Sequence, residues 1–258
     1  MHPILSKDAF ICDMDGVIYH GNRLLPGVKE FVSHLQQAGK RYLFLTNSSE
    51  RSPRELAQKL ARLGLEVPPE HFYTSALATA AFLSTQMPGC SVYAIGEAGL
   101  LNALYEAGIT MNDVNPDYVV IGEAKAYTYD TITKAIRLVL GGARLIGTNP
   151  DTTGPTEGGL VPACGALVAP VEVATGRKAY YLGKPNPLMM RNALRRLGAT
   201  REQTVIVGDR MDTDIIAGIE SDIDTVLVLT GVTAREDIGR FPYRPRHVAA
   251  GVAELMGL

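Results

Sequence analysis

The sequence has little of what several protein classes require. Its three cysteines, Cys12, Cys90 and Cys164, are odd in number and widely spaced, which argues against a disulfide framework or a zinc site. Lys plus Arg number 25 against 27 Asp plus Glu, a formal charge of −2. No basic stripe supplies the footprint of a nucleic-acid-binding protein. No apolar run approaches the ~20 residues that span a bilayer. The first residues, Met1-His2-Pro3-Ile4-Leu5-Ser6-Lys7-Asp8, lack the charged-then-apolar layout of an export signal. Strict repeats and low-complexity tracts are absent as well. These absences predict a reduced, soluble, cytoplasmic protein with neither a membrane nor a nucleic-acid polymer as partner. The 258 residues suit one large or two modest domains.

What is present is a pair of acids at the end of an apolar run: Ala9-Phe10-Ile11-Cys12-Asp13-Met14-Asp15-Gly16-Val17. The run reads as a buried strand. Its C-terminal end, in a parallel sheet, is where open α/β folds bind ligands. Like charges held that close repel and resist desolvation, so a fold keeps them for a metal or for chemistry. Asp-x-Asp also occurs at Asp212/Asp214 and Asp222/Asp224. The Asp222/Asp224 pair reads as a solvated turn before the strand Thr225–Leu229.

Strands and helices alternate along the chain, the pattern of an α/β fold with a parallel sheet covered by helices. Pro26–Ala38 reads as a helix with Val28, Phe31, Val32 and Leu35 on one face. Arg41–Leu45 is a strand ending in Thr46-Asn47. Ser52-Pro53-Arg54-Glu55 is a capping box that opens a helix to about Leu63. The strand Phe72–Ser75 and an Ala-rich helix through Leu83 follow. The rhythm restarts near Gln86-Met87-Pro88-Gly89 with strands Ser91–Ile95, Tyr118–Ile121 and Arg144–Gly147, helices Glu97–Ala107 and Thr128–Leu140, and a Gly/Pro/Thr-rich loop, Thr148–Gly159, that is a candidate ligand-facing element. From about Tyr180 the first pattern resumes: Tyr180-Tyr181-Leu182, helix Pro187–Leu197, strands Thr204–Val207 and Thr225–Leu229, and a helix Thr213–Ile219 between them. A short C-terminal strand and helix complete it. The expected division is therefore a Rossmann-like core from 1–83 and 180–258, with an α/β module inserted at 84–179.

Three more strand ends join Asp13 and Asp15. They are Thr46-Asn47, Gly183-Lys184-Pro185, and Gly208-Asp209-Arg210-Met211-Asp212-Thr213-Asp214. In one parallel sheet these ends share a side, so carboxylates, a lysine and a Thr-Asn pair converge. Carboxylates supply hard oxygen ligands for Mg²⁺, and a lysine with backbone N–H groups neutralises phosphate oxygens.

These four segments resemble, in order, the four motifs of the haloacid dehalogenase-like (HAD) hydrolase superfamily. Asn149-Pro150-Asp151 and Pro162-Ala163-Cys164-Gly165-Ala166, together with the inserted module, resemble the NagD-like subfamily and its large α/β cap. The resemblance implies a Mg²⁺-dependent phosphatase of small phosphorylated metabolites, nucleotide or sugar phosphates, with Mn²⁺ able to replace the Mg²⁺. Asp13 is then the nucleophile that forms an aspartyl-phosphate, and Asp15 the acid and base, which needs a carboxyl tuned toward the working pH. The metal falls to Asp13, Asp209 and the backbone carbonyl of Asp15. Thr46, Asn47 and Lys184 clamp phosphoryl oxygens, Arg210, Met211, Asp212 and Thr213 line the rim, and Asp214 orients Lys184 or a metal-bound water. The cap closes over the site as a lid, with Asp151, Thr152, Thr153 and Cys164 the positions to examine for substrate contact. Cys164 reads as packing, for no His partner is near.

Two alternatives stay open on the sequence: a phosphotransferase such as a phosphomutase, and a non-catalytic phospho-metabolite binder on the same scaffold. A receiver domain is about half as long and would leave Gly208-Asp209 without a purpose. A homodimer built on the inserted module is also left open.

Overall fold

The computed structural model describes residues 2–156 and 158–258. Met1, in the N-terminal stretch, and Glu157, in the Thr148–Gly159 loop, lie outside them. The chain divides into two compact units. The first comprises 1–46, 57–73 and 184–258, and the second 47–56 and 74–183.

The first unit is built on a six-stranded sheet. Its strands run, edge to edge, His247–Ala249, Asp224–Val228, Thr204–Gly208, Ala9–Asp13, Arg41–Thr46 and Phe72–Thr74. The pairings of Ala9–Asp13 with both neighbours are parallel. Phe10, Ile11, Phe44, Leu45, Ile206, Val207, Val226 and Leu227 are wholly buried, as continuous apolar strands covered on both faces must be. Ala9–Asp13 lies in the middle, with the order running away from it on both sides, and a crevice opens at the strand ends of such a switch point. Register places Asp13 opposite Leu45 and Cys12 opposite Val207. Thr46 and Gly208-Asp209 therefore end their strands beside Asp13.

Helix Val28–Gln37 buries Val28, Phe31, Val32 and Leu35, the face its apolar spacing predicts. Asp222 takes a left-handed φ of 55° and pairs with Arg201, as a turn residue. Between Thr204–Gly208 and Asp224–Val228 the expected single helix is two pieces, a π-helical turn Met211–Ile215 and a short α-helix Ile216–Glu220.

The second unit carries a five-stranded sheet, ordered Tyr180–Tyr181, Arg144–Gly147, Tyr118–Ile121, Ser91–Ile95 and Thr110–Met111. Tyr180–Tyr181, expected in the end-built core, instead pairs in parallel with Ile146 and Gly147. Helix Ser75–Gln86, also expected in the core, falls in the second unit. Within Thr148–Gly159 the strand Thr153–Thr156 pairs with Gly159–Pro162 in an antiparallel hairpin. Helix Cys164–Thr175 follows and packs Cys164, Leu167, Val168 and Val171 against the sheet side chains Val119, Ile121 and Leu145.

Candidate active site

Asp13 ends its strand with a side chain 12% exposed. The chain then turns tightly: Met14 is buried, the Ile18 N–H donates to the Met14 carbonyl at 2.9 Å, and the Gly16 N–H donates to the Tyr19 carbonyl at 2.9 Å. Asp15, in the same turn, is exposed. Alternation about buried Met14 thus leaves both acids off the core side. Gly16 sits at φ +79°, and a Cβ there would come 2.5 Å from Asp209 Oδ2 and 2.9 Å from the Cα of Gly231. Only glycine meets both the backbone and the space requirement.

Lys184 is the hinge of the charge arrangement. Its Nζ donates to Asp13 Oδ1 and to Asp214 Oδ1, each at 2.6 Å, and its side chain is 3% exposed. Burial alone would lower its pKa, but the Asp13 and Asp214 carboxylates outweigh that and raise it, so the ammonium stays charged. Asp214, also buried, accepts the Arg210 N–H at 3.2 Å on its other oxygen. The π-helical turn Met211–Ile215 supplies this geometry by placing Asp214 over Gly208.

Asp209 follows the strand Thr204–Gly208 and is 2% exposed. Its Oδ2 accepts the Val232 N–H at 2.7 Å, and its carbonyl accepts the Thr233 N–H at 3.1 Å. Its Oδ1 is buried with no hydrogen-bond partner among the described residues. Burial first, and then the nearby Asp214 carboxylate, push its pKa up to about 7. Burial also holds Asp13 well above the usual carboxylate range; Lys184 opposes this, and Asp214 and Asp209 add to it.

One carboxylate oxygen from each of Asp13, Asp209 and Asp214 lies within 4.8 Å of the others. Three acids face one ammonium, and one oxygen has no donor. A divalent cation with hard oxygen ligands satisfies both deficits. Asp13 and Asp209 have the oxygens to give it, whereas both Asp214 oxygens are engaged. The residues therefore fit Mg²⁺.

The remaining expected site residues divide. Thr46 is 6% exposed and ends the strand beside Asp13. Asn47, one peptide bond on, opens the second unit, where its amide donates to Asp151 at 3.0 Å. Arg210 forks onto Asp212, with Nε 3.0 Å from Oδ1 and Nη2 2.8 Å from Oδ2. Met211 is core, packed with Ile215 and Leu227, and its N–H donates to Thr233 Oγ1 at 3.2 Å. Thr213 is 4% exposed, with its hydroxyl 3.4 Å from Asp214 Oδ2. Of the positions in the inserted module, Thr152 and Thr153 are exposed. Cys164 is wholly buried, its Sγ donates to the Ile121 carbonyl, and burial and then Glu123 push its pKa up to about 12. That is a packed thiol, not a nucleophile.

Sequence reasoning passed over the segment Thr230–Thr233. Thr230 Oγ1 donates to the Gly16 carbonyl at 2.5 Å, and the Val232 N–H grips Asp209. The signal was there: Thr230-Gly231 follows a further apolar strand of the same sheet.

Comparison with known proteins bears on this geometry. The family model described as haloacid dehalogenase-like hydrolase matches residues 10–110, and a HAD-hydrolase-like model matches 181–255. The chain is 46% identical over 247 residues to a dihydroxyacetone phosphatase of Corynebacterium glutamicum, covering 96% of this chain and 90% of that one. It is also 46% identical, over 245 residues, to the ribonucleotide monophosphatase NagD of Escherichia coli, covering 95% and 96%. Its structure is similar to that of a 4-nitrophenylphosphatase from Thermotoga maritima, with a TM-score of 0.95 and 35% identity over 100% of this chain and 99% of that one. The two halves of the acid–lysine cluster fall in the two matched segments, and the chain belongs to the haloacid dehalogenase-like hydrolases, in their NagD-like subfamily.

Proposed function

We propose that this phosphomonoesterase hydrolyses small phosphorylated metabolites, nucleotide or sugar monophosphates, by a Mg²⁺-dependent route through a phosphoryl group carried on Asp13. One observation carries the reading: a buried ammonium held by Asp13 and Asp214 at 2.6 Å each, beside a buried Asp209 oxygen with no donor. Such an arrangement is costly for a fold unless a cation and an anionic guest complete it. The names of the relatives, dihydroxyacetone phosphatase, ribonucleotide monophosphatase and 4-nitrophenylphosphatase, support small phosphate monoesters as the substrate class.

In this reading an Asp13 carboxylate oxygen attacks phosphorus in line with the ester oxygen. The P–O ester bond breaks as the Asp13–phosphorus bond forms. Asp15 gives its proton to the departing alkoxide, then takes one from the water that attacks phosphorus and frees inorganic phosphate. Its exposed position in the turn after buried Met14 suits a group that meets both the leaving group and water. Lys184, Thr46 and Asn47 hold the phosphoryl oxygens, and Asp214 keeps the Lys184 ammonium aimed and charged. Asp13, Asp209 and the Asp15 backbone carbonyl would hold Mg²⁺, which would supply positive charge beside the acids for a dianionic phosphoryl group. Mn²⁺ meets the same oxygen ligands.

The test is phosphate release from a panel of ~100 phosphorylated metabolites, with Mg²⁺, with Mn²⁺ and with a chelator, alongside a search for isomeric products. Release of inorganic phosphate from small monoesters, abolished by the chelator, supports the reading. Activity that survives complete metal removal, or isomer formation without phosphate release, overturns it.

A further inference from the structure

The second unit gathers its own polar groups at the C-terminal ends of its sheet. Glu123 stands two residues beyond the strand Tyr118–Ile121, Asn149 two beyond Arg144–Gly147, and Gly183 two beyond Tyr180–Tyr181. An open parallel sheet offers its crevice at these ends. Here the occupant is the protein's own loop, beginning at Asn47. The approach is close: a Cβ on Gly183 would lie 2.7 Å from both Asn149 Cβ and Asn47 Oδ1.

The bonds converge on that loop. The Asn149 amide donates to the Asn47 carbonyl at 2.7 Å and to Glu123 Oε1 at 2.7 Å. The Ser75 hydroxyl donates to the same Asn47 carbonyl. The other Glu123 oxygen accepts the Ser49 N–H at 3.0 Å and the Ser49 hydroxyl. The Asp151 N–H donates to Asn149 Oδ1 at 3.1 Å, and Asp151 Oδ2 accepts the Asn47 amide. Ser49, Ser75 and Asn149 are all wholly buried.

The chemistry of the pair makes the order of command clear. Glu123 accepts N–H groups on both oxygens, the Ser49 N–H on one and the Asn149 amide on the other, so Asn149 must turn its NH₂ group toward it. That orientation leaves the second N–H for the Asn47 carbonyl and the amide oxygen for the Asp151 N–H. Reversing the amide would set a donor against a donor and an acceptor against an acceptor in a dry site, which a buried network does not tolerate. Through the Asn149 amide, Glu123 and Asn149 together bear on the backbone of the residue that follows Thr46.

We propose that Glu123 and Asn149 are positioning residues for phosphoryl binding: Glu123 orients the Asn149 amide, and Asn149 fixes the backbone of Asn47. This rests on the reading of Asn47 as a phosphoryl clamp.

The experiment is calorimetric titration of the Mg²⁺-loaded protein with inorganic phosphate, run beside thermal unfolding. Asn47→Ala tests the underlying reading and is expected to weaken phosphate about tenfold or more, the scale of a lost charge-assisted hydrogen bond. Asn149→Ala and Glu123→Gln are each expected to weaken it about tenfold. The double variant E123Q/N149D separates fold from positioning. In it the new amide at position 123 can donate to the new carboxylate at position 149, so the thermal midpoint should recover relative to Glu123→Gln. That carboxylate cannot donate to the Asn47 carbonyl, so phosphate affinity should stay low. Phosphate affinity restored along with the midpoint overturns the proposal. Should the double variant fail to fold, Asn149→Ala and Ser75→Ala carry the test, and unchanged phosphate affinity in both overturns it. Unchanged affinity in Asn47→Ala instead defeats the reading of the Asn47 side chain as a clamp, a separate outcome.

Discussion

At the scale of single residues, the cluster lives on an imbalance of charge. Asp13 and Asp214 both bind the Lys184 ammonium, and Asp209 offers an oxygen within 4.8 Å of theirs. Asp13→Asn keeps the size and loses the proposed nucleophile, so turnover of p-nitrophenyl phosphate should fall at least ~10³-fold while the thermal midpoint holds, several kcal/mol of barrier being what one essential group supplies. Lys184→Met removes the buried ammonium from between the Asp13 and Asp214 carboxylates. Denaturant unfolding in the presence of a chelator should show a loss of about 3–5 kcal/mol, the usual cost of breaking a buried pair, and a loss under about 1 kcal/mol would deny that the pair is buried and coupled. Asp13, Lys184 and Asp209 stand at or just past apolar runs, and Asp214 follows Asp209 by five residues, so sequence order marked all four as candidates. The Val232 N–H that grips Asp209 and the Asn149 amide that holds Asn47 were not so marked. Main-chain donors have no residue type to betray them, and an Asn in a polar loop resembles any turn residue until its neighbours from other strands are known.

Elements with strong local signals fell where the sequence put them. The helix Pro53–Arg62 starts at a capping box: the Ser52 N–H donates to Glu55 Oε2 at 2.7 Å, and the Glu55 N–H lies 3.4 Å from the Ser52 hydroxyl. Ser52→Ala should cost about 0.5–1 kcal/mol in urea unfolding at neutral pH. The Glu55 pKa is lowered, first by the Ser52 backbone bond and then by its hydroxyl. A depressed carboxylate stabilises the fold above its unfolded value of 4.5 and loses that contribution as pH falls through its folded value. The Ser52→Ala penalty should therefore shrink in acid; a penalty that grows there would contradict the capping role. Elements with weak local signals escaped. Helix Cys164–Thr175 is apolar but for Glu172 and Thr175 and carries Pro170 within it, so neither an amphipathic stripe nor a clean boundary announces it. The hairpin Thr153–Thr156 with Gly159–Pro162 is made of Gly, Pro and Thr with little alternation. Tyr180–Tyr181 is two residues long, and nothing local says which sheet it joins. Lateral pairing is a tertiary choice, and there the sequence pattern stops.

Across the whole molecule, the α/β class and the assembly of one sheet from both ends of the chain were readable, because alternation and an interrupted pattern are properties of sequence order. No helix among the described residues is long and apolar enough to cross a membrane. On the proposed reading, the stability of the fold is linked to Mg²⁺ binding. At a Mg²⁺ concentration 100 times the dissociation constant, binding to the folded state alone should add about 2.7 kcal/mol, read as a rise in thermal midpoint that Asp209→Asn abolishes. A rise of equal size in that variant would place the ion elsewhere. Beneath all of this stands one proposal: that the phosphoryl group passes through Asp13. It is tested by an acid-quenched single turnover of p-nitrophenyl phosphate by the Asp15→Asn variant, in which release from the enzyme is slowed, followed by peptide mass analysis. The expected result is one phosphoryl group on the peptide that holds Asp13, and none when Asp13→Asn is added. Substrate consumed with that peptide unmodified at every quench time, while free phosphate appears, would refute the passage through Asp13.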